Sequence, residues 1–371
     1  MRQFVTGASG IACLRIVVAA AIVCVFQTQA EGKDFPPAVT ALLQTAQQEG
    51  RFNISWTAMG FNVGAERFER GFNDYYGTKI KFDYTPGLAF GAAQRRLADE
   101  FDAGKPAFRD ISLIAGAPQV QFDLQKKMGR EIDWAPLLPT VPKEILAKVV
   151  TPDGRLVRFI SQTGTIMYNT RLIKPQDSPK SLADLLNPKW KGMIASTPYV
   201  YAWEDLPLHP LWGEAKSLEY MTKLAPQVSG LIRCAELDRI ASGEFPIFAI
   251  TCEPGLIRQL QDAKAPVAQN IPLDWRFVYD WWFGVPKHAQ HPAIATLFIA
   301  WIMTPEGQAV LWENEGADLH LLPGSRNKKI FEETEKTAGG PMYEFTLDQQ
   351  LGYNVNAYRQ KILALFRDAG K

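Results

Sequence analysis

Three observations specify an α/β architecture in two domains. Apolar segments of strand period and helix period alternate over residues 52–115, the pattern of a mostly parallel sheet with helices on both faces. A second series of the same kind begins after the proline-rich stretch 136–142. The 371 residues, 47% hydrophobic and 21% charged, have an ordinary globular composition and enough length for two separate cores with a cleft between them.

The elements follow in order. Residues 36–48 read as a helix with Val39, Leu42 and Leu43 on one face, and 52–56 as a short strand. Residues 65–76 place Phe68, Phe72 and Tyr75 at helical spacing, and 79–84 alternate as a strand that stops at Pro86-Gly87. Residues 90–103 carry Ala93, Leu97 and Phe101 on one helical face, and 110–115 form an apolar strand closed by Gly116-Ala117-Pro118. In the second series, 156–168 read as one or two strands interrupted at Gly164, 178–186 as a helix, 193–196 as a strand and 218–224 as a helix. Two further strands, 229–233 and 246–251, flank a helix at 235–242. Ile294, Leu297, Phe298, Trp301 and Ile302 then make an apolar stripe, and Thr304-Pro305-Glu306 restarts a helix with a capping hydroxyl and a proline at the first position. Tyr358, Ile362, Leu365 and Phe366 mark a closing helix.

The first thirty residues have the form of an export signal. Arg2 and Arg15 precede the apolar run 16–26, and Thr28-Gln29-Ala30 ends in a small residue. An apolar run of about eleven residues is too short for the roughly 20 that span a bilayer core, so cleavage after Ala30 and release of a soluble protein is expected. Neither Cys13 nor Cys24 sits as a lipidated cysteine would. The glycine-rich 6–11 is no dinucleotide turn, because it has too little chain before it for a strand and a uniformly apolar run after it. Cleavage takes the formal charge from +1 to −1. A near-neutral chain with no basic, aromatic-interleaved cluster argues against nucleic acid as a partner.

Two cysteines remain, Cys234 and Cys252, and an exported chain meets an oxidising compartment. A disulfide is expected, worth about 3 kcal/mol by chain entropy. The alternative is two buried thiols acting as small apolar residues. Both follow strands, so a bridge would stiffen the rim of the second domain.

Further along, the residues carry a family resemblance. Tyr168-Asn169-Thr170, then Pro179-Lys180-Ser181-Leu182-Ala183-Asp184-Leu185-Leu186, then Pro188-Lys189-Trp190-Lys191-Gly192-Met193-Ile194 resemble a run of motifs in periplasmic solute-binding proteins of ABC importers. Ser242-Gly243-Glu244, Val285-Pro286-Lys287, His291-Pro292-Ala293, Thr304-Pro305-Glu306-Gly307-Gln308 and Leu322-Pro323-Gly324 resemble later landmarks of that family in the same order. The branch includes binders of ferric iron, polyamines, thiamine and phosphonates. The resemblance implies a type II two-lobed periplasmic-binding-protein fold, each lobe a mixed, mostly parallel sheet flanked by helices, with a hinge between them. It places residues 1–30 as the signal, 31–162 with 278–320 in lobe one, and 163–277 with 321–371 in lobe two. It also implies a monomer that delivers a small solute to a membrane permease, with no cofactor and no catalysis.

Ligands of open α/β sheets bind outside the carboxyl ends of strands. That rule selects Trp56, Thr57, Tyr84, Gly116 and Ala117 in lobe one and the aromatic loop Tyr199, Tyr201, Trp203 and Glu204 in lobe two. Trp56 and Tyr84 read equally well as core aromatics. Ferric binders of the family resemble one another in a Tyr-Tyr pair after the strand that here ends at Thr251, but this chain has Cys252-Glu253-Pro254, which disfavours iron and makes Glu253 a candidate contact. His288 and His291 read as surface or capping residues. Asp280 and Trp281 sit among acids and aromatics that suit a cationic amine through cation–π attraction. Alternatively, Arg276, Arg233 or helix-start N–H groups suit an organophosphate or phosphonate, and the tryptophans could be core residues of the strands linking the lobes. A secreted hydrolase using cleft carboxylates is the rival class, though no nucleophile elbow or metalloprotease helix is present.

Overall fold

A computed structural model describes residues 33–56, 61–86, 90–199, 202–251 and 254–370. The signal segment 1–30 lies outside the described residues. Helix α1 (Pro37–Glu49) starts on a proline and ends at Gly50, whose φ of 71° reverses the chain into β1 (Arg51–Trp56). Then come α2 (Phe61–Tyr76), β2 (Lys81–Pro86) and α3 (Phe90–Asp102). Strands β1 and β2 pair in parallel, as a strand–helix–strand crossover requires.

The next strand, β3 (Ser112–Ala115), does not extend that pair, contrary to the three-strand parallel run expected from the alternation. It runs antiparallel to a late strand, with Ala115 opposite Trp281. Helices α4 (Ala117–Lys126) and α5 (Lys143–Val149) lead to β4 (Leu156–Gln162) and β5 (Thr165–Asn169). The break between these strands falls where the sequence placed it: a Cβ on Gly164 would stand 2.9 Å from Ile250 and 3.0 Å from Trp275.

Strands β6 (Ile194–Ser196), β7 (Val228–Leu231), β8 (Ile247–Thr251) and β9 (Val267–Asn270) follow, with α6 (Gly213–Leu224), α7 (Asp238–Ser242) and α8 (Pro254–Asp262) between them. Their sheet has the order β7-β6-β8-β5-β9; β6 is parallel to both neighbours and β5 antiparallel to both, so this sheet is evenly mixed. Residues 178–186 yield only a 3-10 turn, Ala183–Leu186, instead of the expected α-helix. Side chains take the backbone donors there. Asp184 accepts from the N–H groups of Lys180 and Ser181, and Asp274 from those of Leu182 and Ala183, at 2.7–3.0 Å.

Strand β10 (Phe277–Gly284) is buried along its whole length and is flanked antiparallel by β3 and β4. Beyond it lie α9 (Pro292–Ile302), α10 (Pro305–Glu315), α11 (Arg326–Ala338), β11 (Tyr343–Glu344), α12 (Leu347–Gly352) and α13 (Val355–Asp368). The stripe read on α9 widens to its full circumference, and the Glu49 carboxylate caps it by accepting from Ala293 and Ile294 at 3.1 and 2.9 Å. Thr304 caps α10 through Gly307 N–H at 3.1 Å. Among the described residues no single helix is long and apolar enough to cross a membrane.

Two apolar cores result. One gathers Phe52, Trp56, Phe68, Phe159, Phe283, Phe298 and Trp301, drawn from the chain before Ser161 and again after Asp280. The other gathers Trp203, Tyr220, Trp275, Phe277, Tyr358 and Phe366. The β4–β5 passage and β10 cross from one to the other, while α8 packs on α10 and α12 on α4.

Candidate functional site

In the first lobe, Trp56 ends β1 but turns inward, packed edge-on to Phe159 and Phe283 and tilted on Phe68. Thr57 lies outside the described residues. Tyr84, near the end of β2, is half-buried against the same core. Gly116 turns from β3 into α4 at φ 83°, a left-handed conformation that favours glycine, and Ala117 is the first residue of α4.

In the second lobe, β6 ends in the loop from Thr197. Tyr199 is half-buried; its hydroxyl oxygen accepts from Cys234 N–H at 2.8 Å, and its carbonyl accepts from Arg359 at 3.2 Å. Tyr201 lies outside the described residues. Trp203 plugs the second core, stacked on Trp275 and donating its indole N–H to Ser196 Oγ at 3.1 Å. Glu204 stands 3.6 Å from Arg359, yet burial pushes its carboxyl to about 7, and burial with the neighbouring Glu204 raises Asp205 as well.

The crossing strands hold Asp280 and Trp281. Asp280 pairs with Arg158 at 2.5 Å in a network that also takes in buried Ser161, half-buried His320 and exposed Glu344. Burial raises Asp280. It also pushes Glu344 upward, but the His320 hydrogen bond and the Arg158 charge overcome it and bring Glu344 to about 2. These groups tie the hinge together. Trp281 packs edge-on against Phe90, with ring centroids 5.1 Å apart.

A residue the sequence reading passed over stands where the two lobes touch. Glu315 is the last residue of α10 and is only 3% exposed. The Trp56 indole lies beside its carboxyl, Oε1 has no partner among the described residues, and burial raises the pKa to about 8. From the other lobe, α8 approaches so closely that a Cβ on Gly255 would lie 2.7 Å from the Glu315 carbonyl carbon. Residues 252–253, which include Glu253 and Cys252, immediately precede α8 and lie outside the described residues. One signal in the sequence could have found Glu315: an acid in a helix's last turn opposes the dipole, a position where bases are preferred.

The other singled-out residues have structural partners. Arg276 donates to the carbonyls of Pro341, at 3.0 Å, and Leu273. Arg233 lies exposed at the turn after β7, where its N–H donates to Glu236. His291 precedes α9 and pairs with Asp110 at 2.9 Å; His288 faces the Lys105 carbonyl at 3.1 Å. Cys234 is buried.

Comparison with known proteins bears on this arrangement. The profile of one family, described as bacterial extracellular solute-binding protein, matches residues 65–327. No curated protein matches the chain. Among solved structures, the substrate-binding protein of an ABC transporter from Agrobacterium tumefaciens aligns with TM-score 0.70 at 13% identity, over 87% of this chain and 96% of that one. Iron-bound HitA from Pseudomonas aeruginosa aligns with 0.64 at 17%, over 86% and 99%. AgtB from A. tumefaciens R10, in complex with agropinic acid, aligns with 0.63 at 15%, over 86% and 99%. At such identities the likeness establishes the two-lobed fold.

Proposed function

We infer the function from one premise: this chain belongs to the bacterial extracellular solute-binding protein family and is the substrate-binding component of an ABC transporter. It acts outside the cytoplasm, binding a small solute and meeting a membrane permease. The solute proposed is a small organic cation of the amine class, held between the lobes with Glu315 as its counter-ion.

The observation that carries this reading is the buried Glu315 oxygen at the junction of α10 and α8, which has no partner among the described residues. Burial keeps this carboxyl protonated at neutral pH. An ammonium group placed against it would draw the proton off and supply the missing partner. Of the two ligand chemistries left open by the sequence, the phosphonate one has less support, because Arg276 is committed to backbone carbonyls. Iron has less still, since Thr251-Cys252-Glu253 brings no phenolate pair.

The further assignments are proposals of the same rank. Residues 1–30 serve as a signal peptide to a periplasm, and the mature chain works as a monomer with no catalytic step and no nucleic-acid partner. Its lobes are 31–162 with 278–320 and 163–277 with 321–371, supported by the membership of the two cores except at Tyr279, Leu321 and Leu322. Cys234 and Cys252 form a disulfide, supported by the burial of Cys234; two free thiols in the denatured, unreduced chain would sink it. Titration calorimetry with putrescine and with phenylphosphonate tests the ligand class. Putrescine should bind, and Glu315→Gln should weaken it about 100-fold, the equivalent of ~3 kcal/mol for a buried charge losing its partner. Phenylphosphonate binding without putrescine binding would overturn the reading, and conversion of the ligand would favour the hydrolase.

A further inference from the structure

A built cavity lies at the end of β4, away from the ends of β1, β2 and β3. It occupies about 600 Å³ between β5, β9 and α8 on one side and α11 with the end of α10 on the other. That volume suits a small organic molecule. No residue of the candidate cleft, neither Trp56, Tyr84 and Gly116 nor Tyr199, lines it.

Three of its lining residues, Gln162, Thr163 and Arg258, hold buried polar atoms that have no partner among the described residues. Gln162, at the end of β4, is only 2% exposed, yet neither its amide nitrogen nor its amide oxygen has a partner among the described residues. The neighbouring Thr163 hydroxyl is also buried and has no partner among the described residues. A buried amide with both ends unmatched costs a few kcal/mol on transfer scales, a cost that a matching ligand would remove. At the α8 wall, Arg258 spends Nη2 on the carbonyls of Trp312 and Glu313, at 2.6 and 2.9 Å, with its guanidinium over the Trp312 ring; its Nη1 is buried and has no partner among the described residues. Arg326 faces the same indole at 5.2 Å. Among the charged lining residues, Lys180 and Arg258 outnumber Glu333, so the cavity favours an anion.

We propose that this cavity is a second solute site that takes a small organic carboxylate bearing an amide: Arg258 Nη1 meets the carboxylate, and Gln162 with Thr163 meets the amide. The site is independent of the amine reading of the cleft.

Succinamate, which carries both groups, and uncharged succinamide are the probes, titrated calorimetrically into the purified chain. Succinamate should bind below about 50 mM and succinamide about tenfold more weakly. Arg258→Met should remove that preference, Gln162→Leu should weaken both probes, and Glu315→Gln should leave both unchanged, which separates this site from the cleft. Side-chain amide NMR signals of Gln162 in the unaltered protein should shift with succinamate, which keeps the test open if a variant does not fold. Equal affinity for the two probes, no binding of either, or loss of binding in Glu315→Gln would overturn the assignment.

Discussion

Replacing Glu315 by Gln removes a proton-binding group from the lobe junction while keeping an oxygen that can accept from the Trp56 indole. The carboxyl moves from 4.5 to about 8 on folding because burial penalises its charge. Below pH 4.5 the acid is neutral in both states and costs nothing. Between pH 4.5 and 8 the unfolded chain sheds the proton that the folded chain retains, so stability falls as pH rises; above 8 both states are charged and the loss is complete. At 1.36 kcal/mol per unit, the full loss is about 5 kcal/mol as an order of magnitude. With about 2.1 cal/mol/K per residue of unfolding entropy, that loss corresponds to roughly 7 °C in Tm for one cooperative transition. Thermal unfolding followed by circular dichroism at pH 4.5 and pH 9, for the unaltered chain and Glu315→Gln, measures it. Other raised acids such as Asp123 titrate in both proteins and cancel in the difference. The variant should match the unaltered chain at pH 4.5 and exceed it by several degrees at pH 9. A Tm difference that stays constant across that range would refute the account of Glu315 as a buried proton-binding group.

Two other perturbations read the rest of the structure. Trp203→Ala should cost about 3–5 kcal/mol, seen as a lower urea midpoint, because the indole fills the second core; weakened ligand binding at unchanged stability would instead place this side chain on the cleft wall. Arg158→Met should cost about 3–5 kcal/mol by leaving Asp280 buried without its charge partner, and Arg158→Met with Asp280→Leu should recover much of that in the same assay. A double variant as unstable as the single one would show that the pairing is not what holds the hinge.

Local patterns were legible in the sequence wherever one element buries its own periodic face. The α9 stripe, the Thr304 cap and the break at Gly164 depend on neighbours a few residues away or on sterics that only glycine satisfies. Sheet membership was less legible. Strand β3 joins β10, 165 or more residues downstream, because a strand buried along its length needs partners on both edges. Helix α11 leaves no apolar stripe to read, because only Asn327 and Phe331 of its thirteen residues are buried. In the loop after β6, composition marked an aromatic cluster without telling which ring turns inward; the structure assigns Trp203 to the core and Tyr199 to a half-buried position. Glu315 was hidden for a similar reason, since its burial comes from the approach of α8 through Gly255, a contact between positions sixty apart.

The route of β10 between the two cores also fixes an order of events. Phe283, Phe298 and Trp301 belong to the first core but lie beyond the whole of the second sheet in sequence. A ribosome therefore releases the first two-fifths of the chain long before the aromatic residues that complete their packing. Contacts closed over so many residues form late and slowly. The first core therefore cannot close until the chain beyond Asp280 is present, and a chain cut short of that point would leave Phe52, Trp56, Phe68 and Phe159 without the aromatic partners that complete their packing.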